Sequence, residues 1–399
     1  MKKILLLGGS AQQVVAIETA KRLGYYTVLC DYLTDNPGQY AADSFHLVST
    51  TDLEAVLQVA KEEQVDGVLA YASDPAAPTA AYVAEQLGLP GNPYRAVDIL
   101  CNKDKFRAFL AENGFCTPTA KGYTDEASAV CDLRNGAFRF PVIIKPVDSS
   151  GSKGATVLQS AEDAEKAVAY AFSFSRGSRI IIEKFITMKH PYLIGGDLFV
   201  ENGEVVLWGL MNCHRDSTVN PLVPVGKSYP TELSASDLQL AKDTLQTLVD
   251  KLGIRSNAMN VELVIDEDNQ VWLIDVGPRN GGNMIPDLLS MIFDIDIVEM
   301  SVQTAMGVPV PRPENEGHPF YATHNLHTDK NGKFSEVRFS EEIQPYIVRS
   351  CVYKKKGDAV EYFDNSAKAL GIVFFRFESE KQMQDYLTNI HQHIEIVVE

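Results

Sequence analysis

The chain has 399 residues, 45% hydrophobic and 22% charged, which fits a soluble globular protein with room for two or three domains and a sizeable core. Its 36 Lys and Arg against 53 Asp and Glu give a formal net charge of −17, a field that repels a polyphosphate backbone and argues against a nucleic-acid partner. No apolar run approaches a membrane span, and the opening MKKILLLGGSAQQ has an apolar core, Ile4–Leu7, too short for a signal peptide.

Residues 1–100 alternate strand and helix signals. KILLLGG reads as a short buried strand, Gln12–Leu23 as a helix stopped by Gly24, and YTVLCD as a second strand. Leu53–Glu63 is helical, DGVLAYASD a third strand, and Pro78–Leu87 a helix closed by Gly88. This repetition predicts a parallel sheet with helices on both faces, an α/β Rossmann-like domain, with GGS and YASDP at the carboxyl ends where such sheets bind ligands. From 101 to 187 the texture becomes α+β: a helix over Lys105–Glu112, strands at Phe140–Lys145 and Thr156–Gln159, a helix over Ala161–Phe172 and a strand over Arg179–Phe185. Residues 188–311 mix strands (Tyr192–Val200, Glu204–Met211, Met259–Asp266, Val271–Val276) with a helix over Ser236–Leu252. A closing segment, 312–399, carries strand-like SCVYKKKGDAVEYF and IVFFRFES and a helix near Glu380–Ile390. The six cysteines, Cys30, Cys101, Cys116, Cys131, Cys213 and Cys351, show no paired metal spacing and read as reduced thiols of a cytoplasmic protein.

Three stretches carry chemistry. In VIIKPVDSSGSKGATVLQS, Lys145 ends an apolar strand and is followed by a loop of glycine, serine and Lys153. A lysine kept in a buried strand needs an anion, and the loop offers backbone N–H groups and hydroxyls to a phosphate. The spacing is not that of a Walker loop, and a lysine snorkelling to water from a plain hairpin would read similarly. In IIIEKFI the strand ends in Glu183-Lys184-Phe185-Ile186, an edge whose backbone suits an adenine rim, or else a strand with a surface Glu-Lys pair. The third stretch, NVELVID followed by VWLIDVGPRNGGN, reads as a hairpin. With a loop of Glu267–Gln270, Glu262 faces Asp275 on one side of the sheet, and two like charges so placed call for a cation, with Mg²⁺ suited to hard oxygens and phosphate. Arg279, four residues further on, is placed to touch a phosphate or carboxylate.

Together these residues resemble the ATP-grasp ligases, over nearly the whole chain and in the same order of segments. The resemblance is to the carboxylate–amine ligase type, in the group of biotin carboxylase, carbamoyl phosphate synthase and L-amino acid ligase. LLLGGS and YASDPAA look like the preATP-grasp domain, and NKDKFRAFLAENGFCTPTA resembles the helix bearing an ATP lysine, matched to Lys105. The resemblance implies an ATP-grasp fold with a small C-terminal closing domain, ATP and Mg²⁺ as cofactors, and an acyl-phosphate intermediate formed from a small carboxylate and displaced by an amine. Lys105 and Lys145 would contact phosphates, with Ser149, Ser150, Gly151, Ser152, Lys153 and Gly154 folding over them. Glu183, Lys184, Phe185 and Ile186 would hold adenine, His190 the ribose, Glu262 and Asp275 the metal. Arg279, with Lys145, would steady the transferring phosphoryl group. A homodimer is implied by the family alone.

Asp275-Val276-Gly277 departs from the family's E-x-N, with Asn280 or Asn283 as substitutes for the missing oxygen. A nicotinamide oxidoreductase is disfavoured because GGSAQQ lacks G-x-G-x-x-G; a silent nucleotide-binding regulator and a bicarbonate- or ribotide-using enzyme remain competing readings. His214 and Arg215 are either carboxylate ligands or loop-surface residues. His324 with His327, and His391 with His393, read as structural or exposed.

Overall fold

Four parallel strands open the chain in the computed structural model, which describes residues 1–149 and 151–399. β1 (Lys3–Leu7), β2 (Tyr26–Asp31), β3 (Ser44–Leu47) and β4 (Gly67–Leu69) lie in the order β3-β2-β1-β4. KILLL shows no polar alternation because both its faces are covered. Leu5 and Leu7 pack beneath the helices Leu53–Glu63 and Ala77–Leu87, and Ile4 and Leu6 against Val14–Arg22 and a much later helix, Ile297–Ala305.

The small lobe is an antiparallel sheet of β5 (Ala120–Tyr123), β6 (Val142–Pro146), β7 (Thr156–Leu158) and β8 (Ile180–Lys184), ordered β5-β8-β6-β7. Val142, Ile144, Ile180 and Ile182 meet the helices Glu126–Arg134 and Ala164–Ser173. IIIEK is therefore not an edge: β8 pairs with β5 on one side and β6 on the other, as its unbroken apolar run requires.

The remaining strands are β9 (Leu193–Glu201), β10 (Glu204–Arg215), β11 (Pro224–Tyr229), β12 (Asn257–Ile265), β13 (Val271–Gly277), β14 (Tyr321–Leu326), β15 (Gly332–Phe339), β16 (Ile347–Val352), β17 (Ala359–Val360), β18 (Gly371–Arg376) and β19 (Ile394–Val398). Eight of them form one sheet, β13-β12-β9-β10-β11-β14-β18-β16. The helix Ala235–Leu252 covers one face through Leu245 and Leu248, and the helix Ile285–Phe293 covers half of the other through Leu288 and Leu289. The closing segment is thus not a separate layer. β14, β16 and β18 extend the large sheet, and only β15, β17 and β19 form a sheet of their own.

The β12–β13 hairpin differs from the expected register in an instructive way. The ladder closes at Ile265–Val271, leaving a loop of Asp266–Gln270 rather than Glu267–Gln270. Asp266 spends its carboxylate inside this loop, accepting from the N–H groups of Asp268 and Gln270 and from Trp272 Nε1. That one-residue slip would move Asp275 to the other face. A bulge next to the Leu263–Leu273 pair inserts Ile274 and restores Glu262 opposite Asp275.

Candidate active site

Lys145 is buried where β6 leaves the small lobe, and its anion is internal: Nζ lies 2.7 Å from the Glu183 carboxylate on β8. Arg107, from the helix Lys103–Glu112, meets the same carboxylate at 2.7 Å. Its other nitrogens donate to the carbonyls of Leu273 (3.0 Å) and Ile274 (2.7 Å), two successive groups that the bulge frees from the ladder. Burial pushes the Glu183 carboxyl up, but Arg107 and Lys145 outweigh it and hold it down to about 2. Burial lowers the Lys145 ammonium from its ordinary value, with Glu183 pulling it back up and Arg107 and Lys103 adding to the lowering. Both oxygens of Glu183, expected to serve adenine, are engaged by cations.

Lys105, where the ATP lysine was expected, is not turned into this cluster. Lys105 points to the surface and pairs with Asp98 at 2.6 Å. Lys103 and Arg107, four residues apart and so on one helix face, are the cations that turn inward. Lys103 Nζ donates to the Ser149 carbonyl at 3.0 Å and pairs with Asp275 at 3.2 Å, tying the loop after β6 to β13. Glu262 is half-buried beside Asp275 and has no partner among the described residues. Two facing carboxylates, one without a partner, fit a divalent cation.

Gly277 has its own reason. A Cβ there would stand 3.0 Å from an Asp74 oxygen and 3.1 Å from the Arg279 Cζ. The space of the missing side chain is filled by the Arg279–Asp74 ion pair, which joins the YASDP loop to the end of β13. Asn280 does not reach back to Glu262 and Asp275: its Oδ1 accepts from Ser301 at 3.0 Å. The loop 279–282 is held from below by Asp197 on β9, buried and accepting from the Gly281 N–H at 2.8 Å and from Asn260 Nδ2 at 2.8 Å. Burial pushes the Asp197 carboxyl up to about 6, against the Gly281 and Asn260 donors and the nearby Arg279 charge.

The Gly/Ser loop turns through positive φ at Gly151, Ser152 and Gly154. Ser152 Oγ donates to the Leu222 carbonyl at 2.8 Å, and Lys153 is half-buried with no ion pair among the described residues. Ser150 lies outside the described residues. Of the hinge, the Lys184 N–H donates to Thr119 and the Phe185 N–H to Pro141, so neither is available to a ligand. The Ile186 N–H has no partner among the described residues. His190 is held at 3.1 Å by Asp237, which Lys189 also pairs with at 2.9 Å. His327 and His391 meet on Asp216 at 2.9 and 3.0 Å, a structural tie between the β10–β11 loop and the closing segment. Arg107, Lys103, Asp74 and Asp197 were not singled out from sequence. The i,i+4 spacing of Lys103 and Arg107 and the lone acid in LIGGDLFV were the available signals.

Cations drawn from a helix, a strand end and a loop around two carboxylates are the equipment of a nucleotide-dependent phosphoryl-transfer enzyme. Family models match an ATP-grasp N-terminal domain over residues 17–91 and an ATP-grasp domain over 138–287, together more than half of the chain. The chain is 28% identical over 326 residues to a formate-dependent phosphoribosylglycinamide formyltransferase of Synechococcus sp. (strain CC9311), covering 78% of each. Its fold matches an L-amino acid ligase from Bacillus licheniformis with a TM-score of 0.82 at 20% identity, over 100% of this chain and 99% of that one. A phosphoribosylglycinamide synthetase from Anaerococcus prevotii follows at 0.74 and 22%, over 100% of both. The chain belongs to the ATP-grasp superfamily, and it is an ATP-dependent ligase whose cofactors are ATP and Mg²⁺.

Two outcomes follow from the buried charges. Arg107→Met leaves Glu183 half-compensated and two carbonyls unpaired, and should lower stability by about 3–5 kcal/mol, read as a fall in the urea midpoint. Arg107→Lys should recover less than half, since an ammonium cannot reproduce the fork. Asp197 holds its proton in the folded state up to about pH 6, whereas its ordinary value is 3.8. Folding therefore takes up a proton between these values, and stability should fall by about 3 kcal/mol as pH rises from 4 through 6. Urea titrations of Asp197→Asn should lack that fall.

Proposed function

We propose that the protein activates a small carboxylic acid as an acyl phosphate at the expense of ATP and joins it to an amine, releasing ADP and phosphate. The observation that carries this reading is Glu262, without a partner among the described residues, facing Asp275 near the cations Lys103, Lys145, Arg107 and Arg279. A carboxylate is a poor electrophile, and phosphorylation turns one oxygen into a leaving group. The task left to the protein is to align and neutralise charge.

In this reading Lys145, pre-set by Glu183 and Arg107, presents an ammonium to the nucleotide phosphates at the mouth of the Gly/Ser loop. Ser149, Gly151, Ser152, Lys153 and Gly154 close over those phosphates and keep water from the acyl phosphate. The Ile186 N–H and the Lys184 carbonyl hold the adenine edge beside Phe185. His190 and Lys189 are the polar groups nearest for a ribose. Glu262 and Asp275 hold Mg²⁺, which when bound supplies charge neutralisation at the phosphoryl oxygens. Arg279, fixed by Asp74, aims its guanidinium at the phosphoryl group being transferred. A cytoplasmic setting and a homodimer belong to the same reading, the first supported by six free cysteines. No helix among the described residues is long and apolar enough to cross a membrane.

A second reading is favoured by the similarity to the formate-dependent formyltransferase: formate as the acid and a ribotide amine as acceptor. The test is ADP and phosphate release with Mg²⁺ across a matrix of amino acids, other carboxylates, bicarbonate, and formate with phosphoribosylglycinamide. Release that requires one acid and one amine, and drops at least 100-fold in Lys145→Ala and Asp275→Asn, is the expected result. ADP release that is independent of any acid would overturn both readings.

A further inference from the structure

The ladder between β10 and β11 stops in the middle of β10. It runs from Arg215–Pro224 to Asn212–Ser228, and continuing it would set Leu210 opposite Pro230. Pro230 has no N–H to give the Leu210 carbonyl, and its own carbonyl accepts from Asn212 Nδ2 at 3.4 Å. The next donor along the chain, the Glu232 N–H, goes to Asn212 Oδ1 at 3.1 Å. Asn212, buried at the last rung, thus draws off the segment that would have covered the rest of β10. Backbone groups alternate sides along a strand, and the Gly209 carbonyl lies against Gly196 on β9. Those of Trp208 and Leu210 therefore face away from β9, to the side that β11 has left. They make no backbone hydrogen bond there among the described residues. Leu210 is buried, so its unpaired N–H and carbonyl each carry the penalty of a lost hydrogen bond.

A cavity of about 430 Å³ lies along this open edge, with apolar walls on both faces of the sheet. Trp208 and Leu238, from the helix Ala235–Leu252, line one face. Tyr229 and Phe293, from the helix Ile285–Phe293, line the other, edge to face with ring centroids 5.8 Å apart. Lys242 and Glu316 add one charge of each sign. Lys242 is half-buried with Nζ 5.6 Å over the Trp208 ring, and Glu316 is exposed. Neither has an ion-pair partner among the described residues. No lining residue is among those assigned above to nucleotide, metal or acid. A volume of this size holds a small molecule rather than a long added strand.

We propose that this cavity binds a short peptide with apolar side chains and free termini, which enters as an added strand on β10. The backbone groups of Trp208 and Leu210 would hold the peptide main chain, and its alternate side chains would go to the Trp208 wall and to the Tyr229–Phe293 wall. The two outward rungs stand roughly 7 Å apart along the strand, the reach of two or three residues. A lysine and a glutamate without ion-pair partners match the carboxylate and the ammonium that end so short a chain. An apolar ligand without amides would leave the Leu210 N–H and carbonyl unpaired, so the edge selects for a peptide main chain. This site is separate from the reacting centre and does not depend on the ligase reading.

The test is calorimetry of the full chain with the tripeptides Leu-Val-Leu, Val-Phe-Val and Phe-Ala-Phe, each beside a counterpart methylated on both peptide nitrogens. The methylated forms keep side chains and termini but cannot donate to a strand. At least one tripeptide should bind roughly tenfold or more tightly than its methylated form. Hydrogen exchange at the Trp208 and Leu210 amides should slow on binding, while that of Gly209, already turned to β9, should not change. A preference of about threefold for the free carboxylate over its carboxamide should vanish in Lys242→Met. The matching preference for the free amine over its acetylated form should vanish in Glu316→Gln, and a cooperative thermal melt shows that each variant is folded. No binding of any of the tripeptides at millimolar concentration, or equal affinity for every methylated form, overturns the proposal. So does binding that leaves exchange at Trp208 and Leu210 unchanged.

Discussion

Glu183, clasped between Lys145 and Arg107, is the contact on which the rest of the site depends. It is a carboxylate buried with two cations, each from a different element, and one of those cations also holds two carbonyls of β13. Taking these charges out of water is costly, and the arrangement is tolerable because both Glu183 oxygens meet cations and Arg107 also donates to two carbonyls. In return it fixes the small lobe, the helix Lys103–Glu112 and β13 in one geometry. Lys145 is consequently presented to the cleft in a single position, with its charge set before any nucleotide arrives.

The same economy of contacts shapes β13. The bulge at Ile274 turns two carbonyls towards Arg107 and at the same time returns Asp275 to the face of Glu262. Gly277 leaves out a side chain so that the Arg279–Asp74 pair can occupy its space, which brings the first domain's YASDP loop onto the site. Asp197, beneath the glycines of the following loop, holds the Gly281 N–H. An acyl phosphate is lost to any water that reaches it, so a site assembled from four separate segments with each cation fixed by a neighbour is a physical requirement of the chemistry.

Much of this was legible in the sequence, for definite reasons. Apolar runs without alternation marked β1 and β6 as buried strands, and a lysine inside such a run announces a charge that needs a partner. What the sequence could not show was which partner. Lys145 was expected to wait for ATP, yet it finds Glu183 across the sheet, and Arg107 arrives from a helix far away in the chain. Lys105 was the natural choice by analogy, but helix periodicity places Lys103 and Arg107 on the inner face and Lys105 outside. The Glu262–Asp275 pairing was reached from a loop one residue too short, and it holds because a bulge, invisible to pattern reading, cancels the slip. Asp197 is a lone charge in an apolar strand, the same signal that flagged Lys145, without a flanking motif to draw notice.

The central claim is that the acid's own oxygen ends on phosphate. The direct measurement is turnover of an acid labelled with ¹⁸O in its carboxylate, with ATP, Mg²⁺ and amine, followed by mass analysis of the released phosphate. The account predicts one labelled oxygen per phosphate formed, because the carboxylate oxygen attacks the γ-phosphorus and leaves with it when the amine displaces phosphate. Phosphate that carries no label, its oxygens traceable only to ATP and water, would show that ATP is hydrolysed or used without an acyl phosphate and would contradict the account.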